Sequence, residues 1–123
     1  MEALKFSLMV NTVPVTIEGA TGTPEEYTLR EMDAANRDKY LDTVADRVRV
    51  DTAGKVVGIK KFEGMQADLL LHTLRKKDGS MVRKEVIQGW PATVVSGLFK
   101  AAQKLNLLDE KEKGEATDES KKD

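Results

Sequence analysis

Hydrophobic positions in this chain recur at two spacings, one helical and one alternating. The clearest helical run is Trp90 to Leu108, WPATVVSGLFKAAQKLNLL. At about 100° per residue, Val94, Val95, Leu98, Ala102 and Leu105 share one arc, with Phe99 and Ala101 at its edges. Thr93, Ser96, Lys100, Gln103 and Lys104 take the opposite side. Pro91 suits the first turn, where its missing N–H costs nothing, and Asn106 reads as a stop. Burying six large side chains at ~1.5–3 kcal/mol each yields roughly 10–15 kcal/mol. Ordering about 17 backbone residues costs ~1–2 kcal/mol apiece. This helix therefore has to dock on the rest of the chain or on a partner.

Two further segments carry the helical period. Asp33 is a suitable N-cap for DAANRDKYLDTVADRV. There Ala34, Leu41, Val44, Ala45 and Val48 form the predicted stripe, Tyr40 lies at its margin, and Arg37 lies inside the arc with room to snorkel. Phe62 to Leu74 predicts a helix with Phe62, Met65, Leu69 and Thr73 in its stripe, Leu70 and Leu74 widening it, and Leu71 on the far side. A helix this apolar is either central or has a second face for a partner. Arg83 to Gln88 predicts one short helical turn.

Alternation marks the strands. Val13–Glu18 and Glu26–Arg30 predict a hairpin joined through Gly19, Gly22 and Pro24, with Pro14 placing the first strand at an edge. Residues 1–12 fit either an edge strand or a short docking turn. Arg47 to Lys61 fits either a second hairpin or a helix end followed by an irregular loop. Asp78-Gly79 marks a turn. The predicted fold is α+β, a small single domain over residues 1–108, with an N-terminal β-hairpin followed by three main α-helices, helix-dominated. Residues 109–123 hold seven acids and four bases without apolar periodicity and predict a disordered charged tail.

Composition narrows the function classes. The chain has 123 residues and a net charge of −1. Removing the −3 tail leaves the body at +2, too little for a global pull toward nucleic acid or anionic membrane. No cysteine and a single histidine argue against disulfides, thiol chemistry and a zinc site. The apolar N-terminus lacks the basic flank and cleavage site of a signal peptide, and no stretch approaches the ~18 apolar residues of a membrane span. A soluble intracellular protein is expected.

The search for catalytic chemistry finds none. Ser7, Ser80, Ser96 and Ser120 lack a nucleophile context. His72 lies at an apolar helix edge and reads as a boundary residue. The Gly19–Thr23 loop lacks the G-K-[ST] ending of a phosphate loop. Asp38, Asp42 and Asp46 read as a solvated face. No enzyme activity and no cofactor is expected. Arg75-Lys76-Lys77 with Arg83-Lys84 forms a local basic segment, the basis of an alternative reading as a small nucleic-acid-binding regulator, but no aromatic residue interleaves with it. The remaining signal is surplus apolar surface. Leu70, Leu71, Trp90, Phe99, Leu107 and Leu108 are the candidate partner-binding residues, each with the competing role of closing the protein's own core.

Three segments in series resemble a known family. They are Tyr27-Thr28-Leu29-Arg30-Glu31-Met32 with Arg37-Asp38-Lys39-Tyr40-Leu41; Phe62-Glu63-Gly64-Met65-Gln66-Ala67 with Leu69-Leu70; and Trp90-Pro91-Ala92 leading to Leu98-Phe99, Ala101-Ala102 and Leu105-Asn106. In order and spacing they resemble the tail assembly chaperones of long-tailed bacteriophages and prophages, over roughly residues 13–108. Trp90 stands where a smaller aliphatic is expected. The resemblance implies a non-enzymatic protein that binds the tape measure protein, keeps it soluble and helps recruit tail tube subunits. It also implies self-association, a place in the bacterial host cytoplasm, absence from the mature virion, and a longer product made by translational frameshift.

Overall fold

The computed structural model describes residues 3–108; the predicted tail, 109–123, lies outside them. The fold is α+β with an N-terminal antiparallel hairpin, as the alternation predicts. Strands β1 (Thr12–Glu18) and β2 (Pro24–Arg30) pair with Val13 opposite Leu29 and Val15 opposite Tyr27. The connecting loop turns at Gly22, whose φ of 88° suits glycine. β1 is an edge strand, where Pro14 removes no bond from a central ladder. Residues 3–11, left open between strand and docking turn, form no regular element.

Asp33 caps α1 (Ala34–Arg47) by accepting the Asn36 amide on Oδ1 at 2.8 Å. The face that α1 buries differs from the predicted one. Tyr40 is its buried residue, while Ala34, Leu41 and Ala45 are exposed. The inward face runs through Arg37, Tyr40, Val44 and Arg47. Both arginines are usable there because each has polar partners. Arg37 Nη1 donates to the Asn106 carbonyl at 2.9 Å, and Arg47 Nη1 donates to the Glu63 carbonyl at 2.6 Å.

Arg47 to Lys61 resolves into a second hairpin, β3 (Val48–Val50) and β4 (Val56–Ile59), in a sheet of its own. Asp51 Oδ1 accepts the amides of Ala53 and Lys55, each at 2.9 Å, and Gly54 takes φ 84°. This side-chain-mediated turn is what closes the hairpin.

Helix α2 (Met65–Thr73) starts later and ends earlier than its apolar run. Gly64 precedes it at φ 77°, so Phe62 falls outside the helix and is 66% exposed. At the other end Leu74 opens a short strand, β5 (Leu74–Lys76), which pairs with β2 through Leu29–Leu74 and Thr28–Arg75. Tertiary pairing here overrides the helical period that Leu74 also fits. The Asp78-Gly79 turn folds the chain back so that Met81 bridges Arg75.

A short α3 (Lys84–Gln88) follows, then α4 (Ala92–Leu105), begun by Pro91 and ended at Asn106. α2 is the hub, packed against α1, α3 and α4. Leu29, Leu69, Leu70, Leu74, Val82 and Ile87 are all at most 1% exposed, so one core joins the sheet to the helices. Asn106, only 5% exposed, ties the two ends of that core. Its Oδ1 accepts the Met32 amide at 2.8 Å and its Nδ2 donates to the Ala102 carbonyl at 2.9 Å.

Candidate partner-binding surface

The six residues singled out from sequence separate into two groups. Leu70, at 0% exposure, and Leu108, at 8%, belong to the core and offer no surface in this fold. Leu71, Trp90 and Phe99 are half-buried, and Leu107 is 62% exposed. The competing role of core closure is therefore taken by the first pair, and in part by Trp90 and Phe99, which pack against the core. Surplus apolar surface is also held by residues outside those six. Phe62 is exposed beside α2, and Val50, Val56 and Val57 are each more than half exposed on the second hairpin.

Trp90 organises a largely apolar hollow. The chain enters α4 here, held by Trp90 N–H to the Ile87 carbonyl at 3.1 Å. One side of the indole meets Tyr27 edge to face, with centroids 5.7 Å apart and planes at 72°. Tyr27 also donates its hydroxyl to Glu25 at 2.8 Å. Burial, helped by this carboxylate, pushes its pKa up to about 12, so the ring stays neutral against the indole. Trp90 also lines a groove of ≈ 410 Å³ between α2 and α4, together with Phe62, Met65, Ala67 and Val95. No ionised side chain lines this groove. It can take an apolar side chain or helix ridge, but it has no group for acid–base or metal chemistry.

Charges are gathered next to the groove rather than in it. Asp68, in the first turn of α2, faces Arg47 Nη2 through one oxygen at 2.5 Å and Lys84 Nζ through the other at 2.9 Å. Its side chain is 13% exposed. Burial alone would raise its pKa. The Lys84 and Arg47 hydrogen bonds and charges outweigh that and hold it below the ordinary value. The cluster fixes where α2 starts, and so where Phe62 and Met65 face. Gly64 belongs to it, since a Cβ there would sit 3.0 Å from Lys84 Nζ.

His72 is half-buried, and burial lowers its pKa. Asp68 offsets part of this, and Lys39 and Arg75 add to the lowering. It is a neutral boundary residue at neutral pH, without a nucleophile beside it. Part of the basic segment is drawn into the fold, while Lys76, Lys77 and Arg83 stay exposed. Lys84 is committed to Asp68, Lys77 approaches Glu26 at 3.9 Å, and Arg75 donates to its neighbour's carbonyl at 3.1 Å. Among the described residues no buried side-chain polar atom lacks a hydrogen-bond partner, and no helix is long and apolar enough to cross a membrane.

No family model matches the chain, and no curated protein does. Among solved structures it is similar to the tail assembly chaperone of bacteriophage HK97, at 18% identity and a TM-score of 0.48, over 76% of this chain and 85% of that one.

Proposed function

We propose that the protein is a phage or prophage tail assembly chaperone. Its client is the tape measure protein, which it binds and keeps soluble while tail tube subunits are recruited. The observation that carries this reading is the open groove at Trp90, apolar and free of ionised lining. Such a surface fits the apolar face of an amphipathic helix presented at i, i+3, i+4 spacing, the form a long helical client offers. Trp90 is the anchor in the groove, Phe99, Leu71 and Leu107 are further client contacts outside its lining, and no cofactor takes part. The three segments in series, from Tyr27 to Asn106, support the same reading. Catalysis is not part of it. The protein acts in the host cytoplasm, forms homo-oligomers and is left out of the finished particle.

Co-expression with the adjacent tape measure gene, followed by pull-down, tests the reading. The tape measure protein is expected to become soluble and to co-purify. A tape measure protein that stays insoluble with nothing bound would overturn it.

A further inference from the structure

Residues 3–10 carry apolar side chains that their own fold leaves in water. Leu4 is 86% exposed, Phe6 87% and Leu8 100%. They alternate with Lys5 and Ser7, so in extended backbone all three lie on one face. The root of this arm is fixed. The Glu31 amide donates to the Asn11 carbonyl at 2.9 Å, and Glu31 Oε1 accepts from Asn11 N at 3.2 Å and Nδ2 at 3.1 Å. From that root the arm runs beside a hollow of ≈ 380 Å³ whose wall includes Arg30, Asp33 and Arg75. Apart from the arm itself, Met32 is the one apolar residue of a largely polar wall, which leaves Leu4, Phe6 and Leu8 exposed.

We propose that this arm docks as an extended segment into the Trp90 groove of a second copy of the chain. The two features are chemically matched. The arm offers one apolar face, and the groove is bounded by Phe62, Met65, Ala67, Trp90 and Val95 without an ionised lining. In the structure the arm does not cover its own groove. The hollow beside the arm reaches His72 and Arg75, at the C-terminal end of α2, whereas the groove opens at Gly64–Ala67, at its N-terminal end. An arm held at Asn11 lies against the far end of the helix from its own groove. Phe62, 66% exposed, is the side chain an incoming arm covers most directly. Self-association and binding of a client helix then use the same groove and exclude each other. The inference rests on the groove and the arm, not on the tail-assembly reading, so its failure leaves the co-expression test standing.

The test uses the full chain and light scattering after gel filtration. The wild type is expected to shift from monomer to larger species as concentration passes on the order of 10 µM. The triple variant Leu4→Ser, Phe6→Ser, Leu8→Ser and the single variant Phe62→Ser are expected to remain monomeric. All four positions are largely exposed, so unchanged circular dichroism and melting temperature establish that the fold is intact. Trp90 is the chain's one tryptophan and reports groove occupancy. Its emission is expected to shift to shorter wavelength when a synthetic peptide of residues 1–11 is added to the triple variant. Three results would each overturn the proposal: a wild type that stays monomeric at roughly fifty times that concentration, a triple variant that associates like the wild type, or Trp90 emission indifferent to the peptide.

Discussion

Asp68 holds Arg47 with one carboxylate oxygen and Lys84 with the other, joining the end of α1 to the starts of α2 and α3. The carboxyl is more acidic in the fold than in the unfolded chain. Its contribution is therefore complete above the unfolded value, about 3.9, and is lost as pH falls through the lower folded value. Asp68→Asn is expected to lower stability at pH 7 by about 2 kcal/mol, because a largely buried Arg47 loses its counter-charge. Denaturant melts at several pH values check this. The stability difference between wild type and variant should shrink on acidification below about pH 4.

Gly64 is predicted to be intolerant of a side chain for two coupled reasons. Its φ of 77° strains any L-residue, and a Cβ would meet the Lys84 ammonium at 3.0 Å. Gly64→Ala is expected to cost about 1–2 kcal/mol in backbone strain and to weaken the Lys84–Asp68 contact as well. In a double-mutant cycle with Lys84→Ala the two losses should fail to add. Full additivity would mean that the glycine matters for the backbone alone.

Asn106→Ala removes the acceptor of the Met32 amide and the donor to the Ala102 carbonyl at a site only 5% exposed. Two lost hydrogen bonds and a buried unsatisfied N–H amount to about 2–4 kcal/mol. The measurement is equilibrium unfolding. Amide exchange at Met32 should accelerate in the variant even under native conditions.

Leu107 sits at φ 60°, the only described non-glycine residue with positive φ. It follows Asn106 at the helix end, where glycine is usual. Leu107→Gly relieves ~1–2 kcal/mol of strain and returns about half of that through the freer unfolded chain. A rise in melting temperature is expected. If Leu107 is a client contact, co-purification of the tape measure protein falls while the fold becomes more stable, which separates binding from folding.

Much of this architecture is legible in the sequence because local pattern and tertiary demand agree. The first hairpin, the Asp33 cap, the short α3 and the arc of Leu98 and Ala102 all follow from spacing and cap chemistry. The parts that differ depend on contacts no local window contains. Arg37 and Arg47 take the inward side of α1 because Asn106, Glu63 and Asp68 satisfy them. The apolar period alone turns that helix toward Leu41 instead. β5 exists because Leu74 finds Leu29 across the sheet, a pairing no local window contains. The groove was half visible. Trp90 stands out in the sequence as an aromatic at a helix start, but periodicity places Phe62 in a buried stripe. It becomes a rim residue only because Gly64 delays the start of α2.

The Asn106–Met32 bond spans 74 positions of sequence, and this sets an order on synthesis. The sheet, α1 and α2 leave the ribosome before the residue that clasps them together. Until the end of α4 emerges, the Met32 amide lacks its Asn106 acceptor and α2 lacks its packing against α4. The domain is thus expected to close only once its final turn is available. Nascent chains arrested before Asn106 are expected to be protease-sensitive, and chains released after Leu108 resistant.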